Sequence, residues 1–141
     1  MTKSEPISVV ILAAGRGTRM KNDRPKVLHE MAGRSLIGHV LAASRTLDAE
    51  SCVVVLGAGM DEVAAAVARE APEASIVVQD PPKGTGHALQ VASAALPRNG
   101  TVLVLYGDTP LLTPATLEAL VDCRRDDDAA VAVLGMRPPD P

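Results

Sequence analysis

From Leu12 the chain reads Leu-Ala-Ala-Gly-Arg-Gly-Thr-Arg-Met, and after Arg24 and Pro25 it reaches Lys26. The small residues and glycines allow backbone N–H groups to approach a ligand closely and to form a nest for an anion. Arg16, Arg19 and Lys26 add three positive charges beside those amides, enough to hold a triphosphate. Two common phosphate loops do not fit. A Walker loop ends in Gly-Lys-Ser/Thr, which is absent, and the dinucleotide fingerprint needs a third glycine where Met20 stands. That fingerprint also calls for an acidic residue at the end of the second strand, about 20 residues on, whereas the run Cys52 to Leu56 ends in Leu56-Gly57-Ala58-Gly59. Without its charges and its position after a strand, a glycine pair would be read only as a turn.

Asp108 is the second candidate. A lone carboxylate after the apolar run Thr101 to Leu105 can bind a hard cation, with phosphate oxygens and waters completing an octahedron; a turn or cap aspartate is the competing reading. Gln79 and Thr85 carry donors and acceptors that suit the edge of a pyrimidine, although a Gln after a strand is also ordinary exposed surface. His29, His39 and His87 are widely spaced, with no pair at ligand spacing, so they read as ordinary structural or surface histidines. Asp126, Asp127 and Asp128 read as a solvated helix exit. Cys52 and Cys123 are not closely paired and read as buried thiols, in keeping with a reducing cytoplasm.

To position these groups the sequence offers apolar, β-branched runs at Ile7 to Leu12, Cys52 to Leu56, Ser75 to Val78, Thr101 to Leu105 and Ala129 to Leu134. They are continuous rather than alternating, as strands covered on both faces require. Between them helical spacing appears at Leu36, Ile37, Val40 and Leu41, at Met60, Val63 and Val67, at Leu89, Ala92 and Leu96, and at Leu117, Leu120 and Val121. Ser35, Asp61 and Thr113 are candidate N-caps, and Pro114 suits a first turn. Alternating strands and helices predict an α/β fold, a Rossmann-like three-layer sandwich around a mainly parallel sheet. Ligands of such a fold bind at the carboxyl ends of the strands, here after the first, third and fourth.

With 141 residues and 47% hydrophobic content the chain is long enough for one cored domain, read as residues 1–141. No apolar run approaches a membrane span, and the N-terminus lacks a signal-peptide pattern. Tyr106 is the sole aromatic residue, which rules out a stacking platform for single strands, and a net charge of −3 argues against a nucleic-acid groove.

The string Leu12 to Met20 with Pro25-Lys26 resembles the signature of sugar-phosphate nucleotidyltransferases. With Pro25 to His29, Gln79, Gly84 to Ala88 and Leu105 to Leu111, the chain from Val9 to Pro141 is similar to the uridylyltransferase domain of the bacterial bifunctional uridylyltransferase/acetyltransferases of glucosamine phosphates. The resemblance implies the nucleotide-diphospho-sugar transferase fold and transfer from UTP to N-acetylglucosamine-1-phosphate, giving UDP-N-acetylglucosamine and pyrophosphate. It assigns Leu12, Ala13, Ala14 and Gly15 to nucleotide contact, and Arg19 and Lys26 to the phosphates as catalytic cations. Gln79, Gly84 and Thr85 would read uracil, Tyr106 and Gly107 would border the sugar nucleotide, and Asp108 would bind Mg²⁺. It further implies a cytoplasmic protein and, at full length, a homotrimer with an acetyltransferase β-helix absent from this chain. The run Pro138 to Pro141 follows directly on the last predicted strand, so the domain reads as truncated there and the fragment as poorly active. A nucleotidyltransferase with another base or acceptor, such as a hexose phosphate or a molybdenum-cofactor precursor, and a non-catalytic nucleotide-binding module remain as alternatives.

Overall fold

The computed structural model describes residues 5–15 and 23–137. At its centre is β1 (Ile7–Leu12), whose Val9, Val10 and Ile11 are at most 1% exposed. Backbone groups so deeply buried need partners on both edges. β4 (Ser51–Gly57) supplies one edge in parallel, from Ser8↔Ser51 to Leu12↔Val55, and β6 (Thr101–Tyr106) the other, from Ile7↔Thr101 to Leu12↔Tyr106. β5 (Ser75–Gln79) pairs in parallel with β4, completing the order β5-β4-β1-β6.

The chain steps from β1 through α1 (Leu36–Ser44) to β4, and through α2 (Asp61–Glu70) to β5. It then reverses, and α3 (Thr85–Ser93) carries it to β6 on the far side of β1. Right-handed crossovers running in opposite directions put their helices on opposite faces. On one face Ile11, Val54 and Leu105 join Ile37 and Val40 of α1, Val63 and Val67 of α2, and Leu117 and Val121 of α4 (Pro114–Asp126) in one core cluster. On the other face Val10, Leu12, Val53 and Val55 meet Ala88 and Ala92 of α3. The strand order reverses between β1 and β6, and of the four loops at the carboxyl ends only the one after β5 leads to a helix on the other face.

Ser35 and Thr113 cap as expected. Ser35 Oγ accepts from Gly38 N at 3.1 Å and Thr113 Oγ1 from Thr116 N at 3.2 Å, with Pro114 in the first turn. Asp61 does not cap; Met60 holds that position, and Asp61 and Glu62 stand in the first turn, where carboxylates favour the helix dipole. A short hairpin of β2 (Glu30–Met31) and β3 (Arg34–Ser35) was not foreseen. Its two-residue turn places Ala32 at φ 52° and Gly33 at φ 78°, the left-handed pair that matches strand twist, although Ala-Gly is a weak signal for it.

Two strand expectations are corrected. Ala129 to Leu134 does not form a fifth strand: the segment has no sheet partner, and Val131 and Val133 are 74% and 83% exposed. β-branched residues favour extension, but ladder bonds and burial are what stabilise a strand. Instead this segment and β6 line an open apolar groove of about 830 Å³. Nor are all strands covered on both faces. Val102 and Tyr106 of β6 are exposed because α3 alone, among the described residues, covers that side and packs on β5, β4 and β1, while Ile76 and Val78 of the edge strand β5 are exposed on the opposite face.

The thiols also separate. Cys52 is half-buried, and burial, reinforced by the charge of Glu73 and opposed by Arg45, pushes its pKa up to about 11. Cys123 is exposed on α4 rather than buried. At pH 8 iodoacetamide should alkylate Cys123 in the native chain and reach Cys52 only after unfolding, because the thiolate is the reactive form. Peptide mass mapping checks this, and equal labelling of both thiols under native conditions would contradict the packing described.

Candidate active site

Beyond β1 the backbone stays tied to both neighbours: Ala13 N donates to Val55 O, and Gly107 N to Leu12 O, each at 2.9 Å. Glycine makes this convergence possible. A Cβ on Gly57 would stand 3.0 Å from Ala14 O, and one on Gly107 would stand 3.1 Å from Ala13 Cβ and 3.3 Å from Val27 Cγ1. The loops after β1, β5 and β6 therefore meet at one end of the sheet, around a cavity of about 280 Å³. Leu12, Ala13, Ala14 and Gly15 form one part of its wall, and Lys26, Tyr106 and Asp108 another. Gln79, Gly84 and Thr85 also line it.

Lys26 begins the 3₁₀ turn Lys26–Leu28, whose Val27 and Leu28 are buried in the core and anchor it. Its Nζ lies 2.8 Å from Asp108 Oδ2. The two side chains are 44% and 33% exposed, so both charges can still reach a guest in the cavity. Among the described residues no three His, Cys, Asp or Glu side chains are grouped to hold a metal. Among the described residues Asp108 would therefore be a lone carboxylate ligand, which fits an ion that takes one or two carboxylates and completes its shell with phosphates and water, as Mg²⁺ does, better than an all-protein cage.

Gln79 is not the exposed side chain its position suggested: the residue is 3% exposed, the end of an edge strand folded over by the next loop. Its Nε2 donates to Gly84 O at 2.9 Å and lies 3.0 Å from His87 Nδ1. Gly84 takes φ 92° and ψ 178°, a conformation open essentially to glycine alone, and opens α3 without a side-chain cap. The uncapped first turn leaves backbone N–H groups, with the positive end of the helix dipole, beside the cavity.

Arg19, with Arg16, Gly17, Thr18 and Met20, lies outside the described residues. Gly107 is buried behind the wall rather than lining it. Val27, Pro82 and Ala88 line the cavity without having been singled out. Val27 adjoins Lys26 and Ala88 sits on the inner face of α3, so both were within reach of the pattern; nothing in the sequence marked Pro82. His87 gains the contact to Gln79, while His39 Nε2 meets Met31 O at 2.7 Å in a purely structural bond. His29 Nε2 is buried without a partner among the described residues. Asp126, Asp127 and Asp128 are exposed at the exit of α4.

Gly107→Ala should destabilise the chain by about 1–3 kcal/mol, because the new methyl meets Ala13 and Val27 and must displace them. Urea unfolding measures the shift, and an unchanged midpoint would show that the loops are not so tightly joined.

The family model of the MobA-like NTP transferase domain matches residues 9–139. The chain is 48% identical over 146 residues to the bifunctional protein GlmU of Thermobifida fusca, covering 100% of this chain and 30% of that protein. Thus it spans about a third of the length of that relative. The crystal structure of Rv0371c from Mycobacterium tuberculosis superimposes with a TM-score of 0.72 at 31% identity, covering 86% of this chain and 61% of the other. A complex of Rv0371c with manganese gives 0.68 at 30% identity, covering 83% and 58%.

Proposed function

The chain belongs to the MobA-like NTP transferase domain family, and we propose that its cavity binds UTP with Mg²⁺ for transfer of the uridylyl group to N-acetylglucosamine-1-phosphate. The observation that carries this reading is the convergence, in one cavity, of a Lys26–Asp108 pair with the polar set Gln79, Gly84 and Thr85, from segments far apart in sequence.

In the proposed reaction a phosphate oxygen of the sugar phosphate attacks the α-phosphorus of UTP. A P–O bond forms, the bond to the β-phosphate breaks, and pyrophosphate leaves with the electron pair. The attacking oxygen is already anionic, so no general base is needed. The obstacle is the approach of two polyanions. Lys26 would neutralise phosphate charge, and Leu12 to Gly15 would offer main-chain contacts that fix alignment. Asp108 would hold Mg²⁺, which draws charge from the phosphate oxygens. The manganese complex of Rv0371c supports use of a divalent ion in this fold. Arg19 is proposed as a second phosphate cation on the sequence resemblance alone.

A cytoplasmic location is proposed with this reading, and a homotrimer carrying an acetyltransferase domain for a full-length member of the resembled family. The match to GlmU supports them, and the two free cysteines accord with a reducing compartment. Among the described residues no helix is long and apolar enough to cross a membrane.

Lys26→Ala and Asp108→Ala should fold, since removing one partner of a pair this exposed costs about 1 kcal/mol or less. Each should weaken Mg²⁺-dependent UTP binding, measured by calorimetry, at least about tenfold and lower pyrophosphate release about 10²–10³-fold. Near wild-type binding and turnover in both variants would overturn the assignment.

A further inference from the structure

We propose that His87 is a positioning residue that fixes the polarity of the Gln79 carboxamide, so that the cavity presents a hydrogen-bond acceptor to the nucleobase and selects uracil over cytosine. The inference rests on the reading that Gln79 faces the base.

A backbone carbonyl only accepts, so the Gln79 atom 2.9 Å from Gly84 O must be the amide nitrogen, whichever way the carboxamide is otherwise drawn. That nitrogen also lies 3.0 Å from His87 Nδ1. Two donors cannot face each other, so Nδ1 must be the unprotonated nitrogen of a neutral imidazole whose proton sits on Nε2. Both amide hydrogens of Gln79 are then used, one on Gly84 and one on His87. What the side chain has left for a guest is the carbonyl Oε1, an acceptor.

Uracil carries an N–H at ring position 3, whereas cytosine has a bare nitrogen there. The acceptor complements the first and sets lone pair against lone pair with the second. A buried polar group left unpaired by the wrong ligand is the strongest kind of discrimination available to such a site. Without His87 one amide hydrogen loses its partner in a residue 3% exposed. The N–H released by His87 can recover that loss by turning towards the base while the other keeps its bond to Gly84 O, which makes the carboxamide tolerant of cytosine.

The test measures dissociation constants of UTP, CTP and inorganic triphosphate in Mg²⁺ for the 141-residue chain and for His87→Ala, His87→Asn and Gln79→Ala. The wild type should favour UTP over CTP by about tenfold or more, and Gln79→Ala should abolish the preference. His87→Ala should bring the two nucleotides towards parity with triphosphate affinity unchanged. His87→Asn should restore the preference, because its carbonyl can accept where Nδ1 stood. The Gln79 side-chain NH₂ resonances, assigned by their loss in Gln79→Ala, should be protected from solvent exchange in the wild type and His87→Asn but not in His87→Ala. No preference in the wild type would overturn the uridine reading and this inference together. A preference lost in Gln79→Ala but kept in His87→Ala would overturn the positioning role alone. Triphosphate affinity that falls in step with UTP in His87→Ala would also overturn it, by making His87 a support of the fold.

Discussion

Everything at the cavity depends on the burial of β1. A strand whose Val9, Val10 and Ile11 are sealed from water on both faces must find backbone partners on both edges, and it finds β4 and β6. Since β6 follows β5 in sequence yet lies across β1 from it, the crossover through α3 has to reverse direction and face. The loop that begins this crossover meets the loops after β1 and β6 around the cavity at the carboxyl ends of the strands. The same demand reaches past the strand ends, where Ala13 bonds to Val55 and Gly107 to Leu12, so the loops bearing the polar groups leave a rigid floor. A site on such a floor can hold its groups without spending binding energy on ordering them.

The parts of this that were legible in the sequence are those set by local chemistry. The four strands of the sheet, the caps at Ser35 and Thr113 and the wall from Leu12 to Gly15 all carry signals within a few residues of themselves. Lys26 and Asp108 were each singled out for charge and position, but their 2.8 Å approach joins residues 82 positions apart and has no local trace. The failures have the same origin. Ala129 to Leu134 has strand composition, yet composition cannot say whether an edge is there to pair with. For Gln79 it is the competing surface reading that its burial removes, because burial of a strand end depends on the loop that folds over it. The left-handed turn at Ala32-Gly33 was hidden because alanine is unusual there.

The cavity divides its work between unlike groups. On the proposed reading Lys26 and Asp108 would offer charge to any nucleoside triphosphate and could not distinguish one base from another. Gln79, Gly84 and Thr85 offer fixed dipoles with little net charge, and such groups discriminate by what they leave unpaired. The two sets come from different loops, one after β5 and the others after β1 and β6. Affinity for the phosphates and selectivity for the base could therefore vary independently.

The Lys26–Asp108 pair itself shows how a charged site stays stable before its ligand arrives. Lys26 brought near Asp108 neutralises it at 2.8 Å, but with both side chains a third or more exposed the pair contributes only about 0–1 kcal/mol. Had the two groups been buried, separating them would leave an uncompensated charge and cost several kcal/mol. Because they are not, the proposed exchange of the ammonium for a metal ion at Asp108, and of the carboxylate for phosphate at Lys26, would cost little. Both new contacts keep each charge matched to its opposite, so the exchange leaves neither group unpaired. On the proposed reading, a weak ion pair at this position is what would allow tight binding of a stronger one.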